Sequence, residues 1–284
     1  MFIVRVIIMS TKNYLKIKEL INNADAILIG AGAGLSASAG IDYSKESFKK
    51  NFPELVKAYG MTDMYTSSFY KFKSEEERWS YWAKHINYSF LIQPLDTYKN
   101  LFKIVKNKNY FVITTNVDGQ FIKSGFDKTR VFEVQGSLGK IQCRFGCHNK
   151  LYDDTELVKK MLLSKDNLKV DSNLVPYCPV CLEKMEINIR KDAYFVEDDN
   201  WHKLNDSYEK FINDNINKNI VLIELGVGFN TPSIIRFPFE ELTYKLKNAH
   251  LIRVNDSFEN VPKIIKNKSF TINEDINKFL KEIS

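Results

Sequence analysis

A short apolar run followed at once by closely spaced glycines is the feature that most limits how this chain can fold. Residues 26–29 have the length and composition of a buried strand, Gly30, Gly32 and Gly34 form a turn, and the small residues 35–40 can open a helix. This order predicts a cradle for the pyrophosphate of a dinucleotide, because glycines allow close approach and free amides favour negative charge. A plain tight turn has the same pattern, so the motif alone leaves both interpretations open.

Further apolar runs alternate with segments of helical period. We predict strands at 110–114, 131–134, 220–225 and 250–254, and helices at 14–23, 75–90, 96–106, 201–211, 239–248 and 274–283. Alternation of this kind is typical of an α/β fold, a doubly wound parallel sheet of Rossmann-like type. The aromatic residues at helical spacing in 79–90 are interpreted as core. The polar segment 44–59 is predicted to be a mobile loop over the ligand.

Length and charge narrow the class of protein. The 284 residues suffice for one large domain with a small inserted module, and 44% hydrophobic with 27% charged residues indicate a globular protein. The net charge of +6 is spread along the chain, so no nucleic-acid surface is expected. Residues 1–9 are too short for a membrane span and do not resemble a signal peptide, so we expect a cytoplasmic protein without a membrane partner. These residues either form an edge strand or precede a true start at Met9.

Four cysteines occur as two pairs, Cys143 with Cys147 and Cys178 with Cys181. In a cytoplasmic chain, paired cysteines favour a metal site over disulfides, and four thiolates suit a closed tetrahedral zinc site. The wider spacing of the first pair weakens the pattern, and free buried thiols are the alternative. A closed site leaves no open position, so we expect zinc to fold the insert rather than to catalyse.

Polar residues follow several of the predicted strands. Thr115-Asn116-Val117-Asp118 comes after the second strand, Gln135-Gly136 after the third, Gly226-Val227-Gly228-Phe229-Asn230 after the fourth and Asn255-Asp256 after the fifth. Ligands of open α/β sheets bind at the carboxyl ends of the strands. An ordinary turn with a helix cap would also explain the cluster at 115–118.

Together these stretches resemble the sirtuins, the NAD-dependent deacylases and ADP-ribosyltransferases. The resemblance runs from about Tyr14 to the end of the chain. It includes Gly32-Ala33-Gly34-Leu35-Ser36, Ser38-Ala39-Gly40-Ile41, Thr115-Asn116-Val117-Asp118, the cysteine module, the loop at 226–230 and Val254-Asn255. It implies a sirtuin-type domain at 10–136 and 190–284 and a small zinc-binding module at 137–189.

Three departures from the common sirtuin pattern resemble the macrodomain-linked microbial sirtuins, class M. Gln135 stands where the family has histidine, Asp42-Tyr43-Ser44 lacks the usual proline and arginine, and residues 188–198 replace the usual peptide-binding segment. This resemblance implies protein ADP-ribosylation, a lipoylated glycine cleavage H-like carrier as acceptor, and a macrodomain hydrolase as functional companion.

The chemistry of these residues agrees with cleavage of NAD as a co-substrate. Breaking the nicotinamide–ribose bond develops positive charge, which Asn116 and Asp118 are suited to stabilise. Glutamine takes up no proton near neutral pH, so Gln135 lacks the basicity that deacylation needs. Arg190 is a candidate to orient substrate, or an exposed linker residue, and Glu197 or Asp198 is a candidate base. The alternatives are a weak deacylase, an NAD hydrolase and an NAD-binding sensor without turnover.

The predicted site therefore has three parts. The catalytic residues are Asn116, Asp118, Gln135 and Arg190. The NAD-binding residues are Asn116, Asp118 and Gln135 again, together with Gly32, Ala33, Gly34, Ser36, Ala39, Gly40, Ile41, Asp42, Tyr43, Gly226, Val227, Gly228, Asn230, Asn255 and Asp256. The zinc ligands are Cys143, Cys147, Cys178 and Cys181.

Overall fold

The computed structural model describes residues 2–164, 166 and 168–284, with side chains from residue 13 onward. Its strands in chain order are β1 Ala26–Ala31, β2 Tyr110–Thr114, β3 Val131–Glu133, β4 Gly136–Cys143, β5 Tyr152–Asp153, β6 Met185–Ile189, β7 Ile220–Leu225, β8 Ala249–Val254 and β9 Ser269–Ile272. Its α-helices are α1 Phe2–Asn23, α2 Ala33–Ser38, α3 Lys45–Asn51, α4 Pro53–Tyr59, α5 Met64–Ser67, α6 Glu75–Ser89, α7 Asp96–Val105, α8 Gln120–Lys123, α9 Thr155–Met161, α10 Asp199–Asn215, α11 Arg236–Lys245 and α12 Ile276–Ile283.

Six strands form the main sheet, in the order β3-β2-β1-β7-β8-β9. Every neighbouring pair is parallel, as the predicted doubly wound fold requires. The chain builds outward from β1 to β3 and then returns to the other side of β1 with β7. The topological switch point therefore lies between β1 and β7, where open α/β sheets bind ligands.

Both faces of the main sheet are covered by helices, and its central strands are accordingly almost entirely apolar. The charged exception is Glu224 of β7, which is buried and paired with Arg253 of β8 at 2.8 Å. One face carries Ile27, Ile29 and Val112 and packs against α1, α7 and α12. The other carries Leu28 and Phe111 and packs against α10 and α11. The alternation of side chains along each strand thus supplies two separate cores.

A second, antiparallel sheet in the order β5-β4-β6 carries the cysteine module. Its apolar residues share one core with α3, α4 and α6, because Phe48, Leu55 and Trp79 pack in the same cluster as Ile141 and Cys178. The predicted division of the chain at 136/137 and 189/190 stays a prediction. In addition, the cysteine module packs against the helices that lie within residues 45–89.

Two sequence expectations differ from the structure. Residues 44–59 form α3 and α4 rather than a mobile loop, because Phe48, Phe52 and Leu55 are buried and Ser44 caps the first helix. The edge strand considered for residues 1–9 is wrong for residues 2–9, which belong to α1, while Met1 lies outside the described residues. Strand β9 of the main sheet was not predicted, and neither were the three strands of the second sheet, β4, β5 and β6. Among the described helices, none combines the length and apolar character needed to cross a bilayer.

Candidate active site

The registers of the main sheet bring four loops to one place. Ala31 is aligned with both Thr114 and Leu225, and Leu225 is aligned with Val254. The residues that follow these strand ends therefore surround one cavity of about 840 Å³ at the switch point. A cavity of this size is within the range of cofactor sites in proteins. This observation fits a bound dinucleotide.

The glycines of the loop after β1 allow this loop to pack closely against the loop after β7. A Cβ on Gly34 would lie 2.7 Å from Gly226 Cα, and a Cβ on Gly32 would lie 2.7 Å from Gly226 O. The Gly34 amide donates to Gly226 O at 3.0 Å, and the Gly32 amide donates to Leu225 O at 3.0 Å. The expectation that the amides at this helix start are free is therefore wrong for Gly32 and Gly34. Ala33, between them, lines the cavity.

Asn116 and Asp118 belong to one buried polar network. The Asn116 Nδ2 atom donates to Gly32 O at 3.0 Å and to the Tyr98 hydroxyl at 3.3 Å. Asp118 Oδ2 accepts from Ser36 Oγ at 2.5 Å, and Asp118 Oδ1 accepts from the Gln120 amide at 2.9 Å. Asn116 lines the cavity, whereas Asp118 lies behind it and is 1% exposed. The network thus joins a cavity-facing amide to a buried carboxylate.

Burial raises the pKa of two carboxyl groups in this region, those of Asp118 and Glu133. It raises the pKa of Asp118, and the hydrogen bonds from Ser36 and the Gln120 amide oppose that rise. Burial and the charge of Asp118 also raise the pKa of Glu133, at the end of β3, to about 8. Sequence reasoning missed Glu133, whose only signal was a carboxylate at the end of a strand.

Gln135 and Arg190 lie side by side on the cavity wall. The Arg190 amide donates to Gln135 O at 2.9 Å, and both residues line the cavity. The Arg190 guanidinium pairs with Glu197 and lies 4.3 Å over the Phe195 ring. Arg190 is therefore fixed by two contacts, unlike a free linker residue. Its role in orienting substrate stays a prediction.

The candidate bases have structural partners. The Glu197 carboxylate is held by Arg190, and Asp198 caps α10 by accepting from the Trp201 amide at 2.8 Å. Neither side chain appears among the described residues that line the cavity. The structure thus gives no support to either as the base.

The loops after β7 and β8 close the other end of the cavity. Asn255 is buried and joins them, since its Nδ2 donates to Val227 O at 3.1 Å and its Oδ1 accepts from the Phe258 amide at 2.9 Å. Arg236 supports the same loops by donating to Phe258 O at 2.9 Å and lying 4.3 Å over the Phe229 ring. Asn255 therefore shapes the cavity as well as lining it.

The predicted catalytic and NAD-binding residues divide into two groups. Those that line the cavity are Gly32, Ala33, Gly34, Asn116, Gln135, Arg190, Gly226, Val227, Gly228, Asn230, Asn255 and Asp256. Those that the described cavity lining does not include are Ser36, Ala39, Gly40, Ile41, Asp42, Tyr43 and Asp118. The Asp42 carboxylate forms a local hydrogen bond instead, accepting from the Ser44 amide at 2.8 Å.

Several lining residues were not predicted. Tyr65 and Phe69 come from α5 and the segment after it, and their rings are in edge contact, with centroids 5.4 Å apart. Glu274 and Asp275 come from the start of α12. The sequence predicts a helix at 274–283 but none around residues 65–69, and it does not indicate that either segment borders the cavity.

The four cysteines meet as predicted. Their sulfur atoms all lie within 4.8 Å of one another, with Cys143 and Cys181 at 3.5 Å and Cys147 and Cys178 at 3.6 Å. Zinc–thiolate bonds of about 2.3 Å in a tetrahedron place sulfurs about 3.8 Å apart, so the cluster fits a zinc-binding site. His148 Nδ1 lies 3.0 Å from Cys147 Sγ.

Comparison with known proteins gives a consistent result. The family model described as Sir2 family matches residues 32–227. A "Protein ADP-ribosyltransferase" of Staphylococcus aureus (strain Mu50) is 33% identical over 272 residues, which cover 95% of this chain and 86% of that protein. A "Probable bifunctional ADP-ribose hydrolase/ADP-ribosyltransferase" of Fusarium oxysporum f. sp. cubense is 35% identical over 249 residues, but these cover 84% of this chain and only 41% of that protein.

Solved structures share the fold. A Sir2 homolog–NAD complex superposes with a TM-score of 0.59 at 16% identity, covering 94% of this chain and 91% of the other. At this level of identity the likeness concerns the arrangement of helices and strands.

Proposed function

Because the chain belongs to the Sir2 family, we propose that it is an NAD-dependent protein ADP-ribosyltransferase, which transfers ADP-ribose from NAD to a protein acceptor and releases nicotinamide. The observation that carries this proposal is the pairing of an Asn116–Asp118 network with a glutamine at the cavity wall. The names of the bacterial and fungal relatives support the same activity.

The first chemical step is cleavage of the nicotinamide–ribose bond. The bond's electron pair leaves with the nicotinamide nitrogen, and positive charge develops on the ribose. The Asn116 amide lines the cavity, and the carboxylate of Asp118 is joined to it through the Tyr98 hydroxyl, so both are suited to stabilise that charge. A buried site makes such stabilisation stronger than it is in water.

The second step is attack by the acceptor on the anomeric carbon. Deacylation would need a base that takes a proton from a ribose hydroxyl. Gln135 occupies the cavity wall, and its side-chain amide donates and accepts hydrogen bonds without gaining a proton. The residues therefore favour transfer to an acceptor over release of an acyl group.

We propose further that the chain is a class M sirtuin and that a lipoylated glycine cleavage H-like carrier is the acceptor. Gln135, the absence of the usual arginine after Tyr43 and the segment 188–198 support the subfamily. A macrodomain hydrolase is the proposed companion. The fungal relative supports this pairing, since its name combines an ADP-ribose hydrolase with an ADP-ribosyltransferase.

Incubation with labelled NAD tests the proposal. The lipoylated carrier should become labelled, and the carrier without lipoate provides the matched control. Asp118→Asn should remove the label because the buried carboxylate is lost. Acyl-lysine turnover without carrier labelling, surviving in Gln135→Ala, would establish the deacylase instead. Nicotinamide release that needs no acceptor would mark an NAD hydrolase.

A further inference from the structure

A buried tyrosine connects the residues at the back of the cavity. Tyr98 lies in the first turns of α7, and its side chain is fully buried. Its ring packs edge-to-face against Phe121, with centroids 5.0 Å apart, which fixes the position of the hydroxyl. That hydroxyl lies 3.0 Å from Ser36 Oγ, 3.3 Å from Asn116 Nδ2 and 3.4 Å from Asp118 Oδ2.

Counting protons gives these hydrogen bonds a direction. Gly32 O is a carbonyl and can only accept, so the Asn116 atom that faces it at 3.0 Å is the amide nitrogen. The second proton of that nitrogen points to the Tyr98 oxygen. The Ser36 proton goes to Asp118 Oδ2 at 2.5 Å, and this leaves Ser36 Oγ to accept from Tyr98. The Tyr98 proton has two acceptors, Ser36 Oγ at 3.0 Å and Asp118 Oδ2 at 3.4 Å, so the chain runs from Asn116 through Tyr98 to Asp118 with its shorter route by way of Ser36.

This direction determines which atom of the Asn116 side-chain amide, Oδ1 or Nδ2, faces the cavity. Both hydrogen bonds of the side chain in the described structure use Nδ2, so Oδ1 is left for a ligand. A carbonyl oxygen carries partial negative charge, which stabilises a positively charged ribose, whereas an N–H group would oppose it. Hydrogen bonds that run in one direction also strengthen one another, and this chain ends on a carboxylate.

We propose that Tyr98 is a positioning residue for NAD cleavage: its hydroxyl holds the Asn116 amide with Oδ1 toward the cavity and supports the donation of Ser36 to the Asp118 carboxylate. The inference rests on the proposed function, since it concerns the step that releases nicotinamide. Tyr98 is not among the described residues that line the cavity. Sequence periodicity indicated only a core residue at this position.

The test is Tyr98→Phe, which removes one oxygen and keeps the contact with Phe121. Tyr110→Phe is the matched control, because Tyr110 is buried in the same core and its hydroxyl accepts from the Asp127 amide at 3.0 Å, away from the cavity lining. Nicotinamide release should fall about tenfold in Tyr98→Phe, as loss of a hydrogen bond in a charged network predicts. The control should retain its rate.

A pH measurement separates positioning from a general loss of packing. The charged or titratable groups that face Asp118 are Tyr43, Tyr98, Lys123 and Glu133. Removing the Tyr98 hydroxyl weakens hydrogen-bond donation to the Asp118 carboxylate, so the protonated form of Asp118 becomes relatively more stable. The acidic limb of nicotinamide release should shift to higher pH in Tyr98→Phe and stay in place in Tyr110→Phe.

Carbon-13 NMR of aspartate-labelled protein measures the titration of Asp118 directly, without turnover. The Asp118 signal is assigned by its loss in Asp118→Asn, and labelling aspartate alone keeps Glu133 out of the spectrum. The titration midpoint should rise in Tyr98→Phe only. An unchanged midpoint, or equal changes in both phenylalanine variants, would overturn the proposal. If the carrier is not labelled but the midpoint moves, the acceptor assignment fails and the role of Tyr98 remains.

Discussion

Replacement of Gly226 by alanine should break the contact between the two glycine loops. Gly226 has φ +62°, and a Cβ there would lie 2.5 Å from the carbonyl carbon and Cα of Gly34 and from the Leu35 nitrogen. All three are backbone atoms, so no side chain can rotate away. The loops must separate, and the hydrogen bonds from Gly34 to Gly226 and from Gly32 to Leu225 are then lost.

The size of the effect follows from these contacts. The left-handed backbone costs an alanine about 1 kcal/mol, and each lost hydrogen bond costs about 1 kcal/mol net. Gly226→Ala should therefore lower the free energy of unfolding by about 3 kcal/mol, which a globular domain of ordinary stability survives. Because Gly32, Gly34 and Gly226 border the cavity, NAD affinity should fall as well.

Gly60→Ala is the matched control. Gly60 has φ +65°, nearly the same backbone conformation, and nothing lies within 4 Å of a Cβ placed there. It should lose only the backbone cost, about 1 kcal/mol, and bind NAD normally. Urea unfolding followed by circular dichroism gives the free energies, and titration calorimetry gives the affinities. Equal losses of stability in the two variants, with equal NAD affinity, would refute the packing argument.

Three further predictions concern charge and metal. Asp118→Asn should reduce nicotinamide release by about 100-fold and raise the melting temperature at pH 7, because the raised pKa means that the ionised carboxylate opposes folding; a lower melting temperature would contradict this. The pKa of Glu133 near 8 means that stability falls as pH rises from about 4.5 to about 8, so Glu133→Gln should flatten that slope in calorimetric scans. Cys178→Ala should lose zinc by mass spectrometry and melt earlier, since Cys178 is part of the second core; a stable zinc-free variant would exclude a structural role.

The sequence predicts the main sheet well because parallel strands buried on both faces are nearly continuous apolar runs. Strands β1, β2, β7 and β8 are of this kind. Strand β9 lies at the edge of the sheet and is short and half-polar, so the same criterion misses it. The sequence does contain start and stop residues for α3 and α4, namely a serine cap, Pro53 and Gly60. The lysines around the buried Phe48 make the segment look polar, so its apolar face was not recognised.

The candidate site was predictable where it depends on strand ends. Asn116 and Gln135 follow strands directly, and the structure brings both to the cavity. Contacts between distant segments left no comparable signal. The fit of Gly34 against Gly226 and the position of the Tyr98 hydroxyl depend on how separate loops and helices pack, which local patterns do not encode.

The close fit of Gly32, Gly34 and Gly226 has a mechanical consequence. Backbone packed against backbone, with hydrogen bonds between the two turns, forms a rigid floor that cannot part without losing those bonds. The cavity lining also includes exposed aromatic side chains from outside these turns, Tyr65 and Phe69. Adjustment to a bound nucleotide is therefore expected at exposed side chains such as Tyr65 and Phe69, while the floor keeps its shape through each turnover.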